Sequence, residues 1–94
     1  MYSKNITINW SDDAKEGLKG IYHYLLQRNS VSTSRRILRE IILSPINITF
    51  PEQFQFDEFR ENCRRIIVRN YKVFYIHQDN IINIITVIDS RRNP

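Results

Sequence analysis

The chain has 94 residues, with 14 Lys and Arg against 10 Asp and Glu for a formal charge of +4, and it is 41% hydrophobic and 26% charged. That balance describes one small globular domain over 1–94 rather than a disordered tail, with a core that hides only about two-thirds of the unfolded surface. One cysteine, Cys63, excludes an internal disulfide; with His23 and His77 it is too small a ligand set for structural zinc, and two glycines exclude a glycine-rich phosphate loop, so no metal or cofactor is expected. Residues 1–10 hold no apolar leader core and no run approaches a membrane span, which places the chain in the cytoplasm by expectation.

In chain order, residues 4–10 alternate, with Ile6, Ile8 and Trp10 on one side, and read as a half-buried strand. Ser11-Asp12-Asp13 is a helix start, since a serine accepts from the first free N–H groups and acids favour the positive end of the helix dipole. Ala14, Leu18, Ile21, Tyr22 and Leu25 continue a helical stripe to about Arg28. Gly17 and Gly20 each cost this helix about 1 kcal/mol relative to alanine, which close packing would explain. A cap at Ser30, Ser32 or Thr33 opens a second helix over 32–44, with Ile37, Leu38, Ile41 and Ile42 as its stripe and Pro45 as its end. Residues 46–62 have neither period but hold Phe50, Phe54, Phe56 and Phe59, the mark of a loop packed down on the domain.

Three β segments follow, 63–68, 71–78 and 81–88, joined by the two-residue turns Arg69-Asn70 and Asp79-Asn80. The order β-α-α-β-β-β is a two-layer α+β domain, a helical hairpin packed on an antiparallel sheet. Its expected core is Trp10, Leu18, Ile21, Leu25, Leu38, Ile41, Ile66, Val73, Tyr75 and Ile84. Taken literally, the turns pair Val68 with Tyr71 and Gln78 with Ile81. Arg65, Ile67, Lys72, Phe74, Ile85, Val87 and Arg91 then share one face, while Ile66, Val68, Tyr71, Val73, Tyr75, His77, Ile82, Ile84 and Ile88 share the drier one, turned to the helices. The loop is expected to cover the apolar part of the outer face, and a partner to meet its cations. Six basic and two acidic residues over 63–94 carry the whole formal excess of +4, the footprint of a polyanion or an acidic protein partner.

Several stretches resemble the RelE/ParE superfamily of type II toxin–antitoxin toxins over nearly the full length. Trp10-Ser11-Asp12-Asp13-Ala14 with Leu18, Ile21 and Tyr24 is similar to the family's strand-to-helix junction. Residues 64–75, Arg64-Arg65-Ile66-Ile67-Val68-Arg69-Asn70-Tyr71-Lys72-Val73-Phe74-Tyr75, look like its most diagnostic hairpin, and residues 84–94 like its last strand and basic terminus. The resemblance implies a toxin, a cognate antitoxin encoded next door, and either DNA gyrase or messenger RNA in the ribosome as target. By position, Arg65, Lys72 and Arg91 fall where the ribosome-dependent nucleases keep their catalytic-face cations, and Arg64, Arg69 and Arg92 become candidates for target binding.

RNA cleavage needs a base, an acid and cations for the phosphorane charge. The cations are present, but no proton donor stands out. The nucleases commonly carry a further basic residue where this chain has Ile67, and a Tyr or His beyond the last strand. His77 and Tyr75 fall on the core face, and Cys63 reads as a small buried residue rather than a nucleophile. The balance favours a ParE-like gyrase poison. The alternatives are a RelE-like endoribonuclease and an inactive member that survives as a binding or repressor component.

Overall fold

The computed structural model describes residues 5–91. Ser11 ends the first strand, β1 (Thr7–Trp10), and caps α1 (Asp12–Leu26) by accepting from the Ala14 N–H at 3.0 Å. Ser30 caps α2 (Val31–Leu43) through the Thr33 N–H at 3.1 Å. Ser44 and Pro45 then tighten the chain into a 3-10 turn, Ser44–Asn47, and an irregular segment leads to β2 (Arg64–Val68), β3 (Tyr71–Gln78) and β4 (Ile81–Asp89). The first strand is shorter than expected, and Lys4 lies outside the described residues.

The sheet order is β1-β4-β3-β2. Three neighbours in sequence make antiparallel ladders, whereas β1 runs parallel to β4, so the sheet is mixed rather than antiparallel throughout. A parallel partner requires a crossover, which the helical hairpin provides. Both helices pack on one side, over a core that includes Ile21, Leu25, Ile41, Ile66, Val73, Tyr75, Ile82 and Ile84. Trp10 and Leu18 are only partly buried against that core, and Leu38 is half-buried.

The β2–β3 register is the expected one, Val68 opposite Tyr71 through Arg65 opposite Phe74. The β3–β4 register starts as expected, with Gln78 opposite Ile81 and Tyr75 opposite Ile84, then slips by one residue. Ile85 is the extra residue, so Phe74 pairs with Thr86, Val73 with Val87 and Lys72 with Ile88. A single inserted residue exchanges the two faces of everything beyond it. Val87 therefore lies in the core at 4% exposure, and Ile88 joins Lys72 and Phe74 on the outer side, opposite to the face assignment from turn arithmetic. The bulge sits where β1 gives way to α1: the Ser11 hydroxyl donates to the Ile85 carbonyl at 2.8 Å, and the Ser11 N–H to the Ile84 carbonyl at 3.0 Å.

Close approach explains one glycine of the two. A Cβ on Gly17 would stand 3.0 Å from the Val87 carbonyl oxygen, whereas one on Gly20 would meet nothing within 4 Å. Gly20→Ala is therefore expected to stabilise the protein by about 0.5–1 kcal/mol, the ordinary helix propensity gain, while Gly17→Ala gains nothing or loses stability. Parallel thermal or urea denaturation of the two variants checks this, and equal gains at both positions would contradict the packing of α1 on β4.

Candidate functional site

The segment between α2 and β2 folds over the sheet's outer side and the β2 edge. Its residues pair with the start of β2: the Arg65 N–H donates to the Gln55 carbonyl at 3.0 Å, the Asp57 N–H to the Cys63 carbonyl at 2.8 Å, and Phe56 bridges Arg64. The added ladder covers an edge that would otherwise offer unpaired N–H and C=O groups. At the other end of the segment the buried Tyr75 hydroxyl donates to the Pro51 carbonyl at 2.7 Å. Burial pushes the Tyr75 phenol above its usual pKa, so it remains a hydrogen-bond donor through the neutral range.

The basic residues singled out in the sequence are largely engaged in holding this segment down. Asp57, its side chain 2% exposed, lies 2.9 Å from the Lys72 ammonium and 3.5 Å from Arg65 Nε. Its other oxygen accepts the backbone N–H groups of Phe59 and Arg60 at 2.9 and 3.1 Å. Burial alone would raise the Asp57 carboxyl, but the bonds from Lys72, Phe59 and Arg60 outweigh it and leave the group below the usual carboxylate range. Arg65 also donates to the Phe56 carbonyl at 2.7 Å. Arg64 donates to the carbonyls of Phe54 and Glu52 at 2.8 and 3.3 Å, and its guanidinium lies 4.0 Å from the Phe56 ring centroid. The loop thus covers only part of the apolar face that it was expected to cover, with Phe74 2% exposed but Ile67 still 59% exposed, and it also supplies the counter-charge that had been expected from a partner.

The remaining candidates lie elsewhere. Arg69, at the positive-φ position of the β2–β3 turn (56°), grips Glu40 of α2 through two hydrogen bonds of 2.7 and 3.0 Å. Those bonds hold the Glu40 carboxyl below its ordinary value. Arg91 folds back on Asp89 at 3.3 Å, and Asp89 is opposite the buried Tyr71. Arg91 lies beyond the end of β4, and its neighbours Asp89, Tyr71 and Tyr24 belong to the helix-facing side, so it does not join Arg65 and Lys72 as the turn arithmetic expected. Arg92 lies outside the described residues. His77 faces Glu52 at 3.7 Å and keeps its Nδ1 buried.

Sequence reading missed the surface where cations remain unpaired. On α2, Arg35 and Arg39 have no carboxylate partner among the described residues, and they flank a groove formed by Tyr22, Leu38, Ile42 and Leu43. Ile42 and Leu43 are 39% and 47% exposed. The signal was present in the sequence, because Ile37 and Ile41 suffice to bury the helix, leaving Leu38 and Ile42 as a second apolar row between arginines.

Residues 8–94 match the family model described as the ParE toxin of the type II toxin–antitoxin system parDE. Among solved structures, the fold is similar to a chain of the chromosomal ParDE toxin–antitoxin system from P. aeruginosa, with a TM-score of 0.77 and 13% identity over 93% of this chain and 98% of that one. No curated protein matches.

Asp57→Asn keeps an oxygen that can accept from the Phe59 and Arg60 N–H groups but leaves the partly buried Lys72 and Arg65 without their counter-charge, so it is expected to cost about 2–4 kcal/mol at pH 7. A carboxylate whose folded pKa lies below the unfolded value of about 3.9 stabilises fully above that value and loses the effect as pH falls through the folded one. Urea unfolding of both proteins should therefore show a stability gap that is constant from pH 7 to about 5 and closes in stronger acid. A gap that does not narrow as the pH falls below the unfolded carboxylate value of about 3.9 would contradict the assignment.

Proposed function

The chain belongs to the ParE toxin family of type II toxin–antitoxin systems, and from that premise we propose that it acts in the bacterial cytoplasm as a growth-arresting gyrase poison that works by binding, without catalytic chemistry of its own. The observation that carries this reading is the engagement of all three candidate catalytic cations in ion pairs within the fold. Lys72 and Arg65 share the buried Asp57, and Arg91 pairs with Asp89. A phosphorane-stabilising site would need those cations free and convergent on one phosphate. Tyr75 spends its hydroxyl on Pro51, and His77 stands beside Glu52. In this reading Arg65 and Lys72 are residues that hold the loop in place rather than catalytic ones. Arg64 and Arg69 likewise act in holding the fold, and Arg92 is left as the target-binding candidate of the basic terminus. Expressed beside a neighbouring antitoxin gene, the chain would be kept silent by that partner.

The antitoxin's anchoring point is the α2 groove. Its apolar floor and two flanking arginines suit an amphipathic helix that carries carboxylates along the edges of its apolar stripe. The same charges argue against a second copy of this chain on that surface. Ile42→Asp and Arg39→Glu are each expected to weaken the complex with the cognate antitoxin by about tenfold or more, roughly 1.4–3 kcal/mol, without lowering the melting temperature. Titration calorimetry at two salt concentrations checks this, with the arginine variant losing the salt dependence. For the target, one purified sample is assayed twice, for inhibition of gyrase supercoiling and for messenger cleavage on translating ribosomes. Supercoiling inhibition with intact messenger is the expected result. Ribosome-dependent cleavage lost in Lys72→Ala would favour the nuclease reading instead.

A further inference from the structure

The tip of the connecting segment is built to project. The Asp57 carboxylate collects the N–H groups of Phe59 and Arg60, which fixes the turn, and Phe59 is left 86% exposed, far beyond the other large apolar side chains of the described residues. Below it lies a cavity of about 360 Å³ with Phe74 and Ile88 as its apolar floor and Lys72 and Ser90 in its walls. The Arg60 guanidinium stacks 4.8 Å from the Phe74 ring centroid and has no carboxylate partner among the described residues, and the Lys72 ammonium lies 5.7 Å from the Phe59 ring. An aromatic side chain held out in water beside an arginine is the composition of a protein-interface hot spot, where ordering the anchor in advance reduces the entropy lost on binding.

We infer that this tip is the element that docks the target protein, with Phe59 entering an apolar recess of the target and Arg60, beside Lys72, receiving a target carboxylate in the cavity over Phe74. This rests on the reading of the chain as a toxin that acts by binding a protein. The charge pattern separates a protein from a nucleic acid. Two cations line the cavity, Arg60 and Lys72, but the Asp57 carboxylate in the same wall already holds Lys72 and would repel a phosphate chain. One free guanidinium over an apolar floor suits a single carboxylate beside an apolar side chain. The tip lies on the outer side of the sheet and the α2 groove on the helical side, so target and antitoxin binding are separable by mutation.

Phe59→Ala and Arg60→Glu alter exposed side chains and are to be compared with the wild type for growth arrest on induction, inhibition of purified gyrase, messenger cleavage on ribosomes, affinity for the cognate antitoxin, and melting temperature. The expected result is antitoxin affinity within twofold and an unchanged melting temperature, with growth arrest and gyrase inhibition each weakened tenfold or more. Growth arrest equal to wild type in Phe59→Ala overturns the inference, as does a tenfold loss of antitoxin affinity, which would make the tip part of the antitoxin interface. Messenger cleavage that disappears together with arrest would assign the cavity to nucleic acid and overturn it too. Arrest lost in Phe59→Ala while the wild type leaves supercoiling untouched keeps the docking tip and removes only gyrase as its target. A wild-type chain that arrests nothing overturns both readings.

Discussion

Taking a carboxylate out of water costs several kcal/mol unless donors replace its hydration, and Asp57 meets that condition through groups drawn from three separate stretches of chain. Lys72 comes from β3, Arg65 from β2, and the N–H groups of Phe59 and Arg60 from the loop itself. Each contact constrains another. The loop cannot leave without uncovering the apolar Phe74 and parting Asp57 from both cations, and the cations cannot turn to a ligand without stranding the carboxylate. The cover over the outer face, the position of the Phe59 tip and the loss of a free cationic cluster all follow from this one buried group.

The other side of the domain is organised around a hydroxyl. Ser11 caps α1 and also donates to the carbonyl of Ile85, the bulged residue of β4. The bulge brings β4 close under the first turns of α1, where Gly17 leaves room for the Val87 carbonyl. It also turns Val87 inward to the helices and Ile88 outward to the cavity, so one extra residue furnishes both the core and the floor of the outer pocket. With β1 parallel to β4, the helices lie across the sheet centre and leave α2 with an uncovered row of Leu38, Ile42 and Leu43 between arginines.

Local chemistry was legible in the sequence; pairing between distant residues was not. Ser11 and Ser30 announce their helices because capping is a short-range effect, and the two-residue turns set the β2–β3 register outright. The bulge carries no glycine and no turn signal. Only the opposing Ser11 reveals it, some seventy residues away, and so the faces of Val87, Ile88 and Arg91 came out reversed. The concentration of charge after Cys63 is real, yet its meaning depended on Asp57, one of four acids in the connecting segment with Glu52, Glu58 and Glu61, and nothing local singles it out as the partner of Arg65 and Lys72. Two of the loop phenylalanines pack as their abundance suggested, Phe54 against the core and Phe50 partly buried, whereas Phe56 and Phe59 stand out in solvent.

The claim on which the functional reading turns is that Lys72 is committed to Asp57 and is not a free cation on an open face. Amine acylation followed residue by residue with mass spectrometry reads this directly, since an ammonium held in an ion pair at 21% side-chain exposure reacts more slowly than one at 69%, as at Lys19. In the native protein Lys72 should be modified at least about tenfold more slowly than Lys15 and Lys19, and Asp57→Asn should bring its rate up to theirs. Lys72 reacting as fast as Lys15 in the wild-type protein would contradict the account.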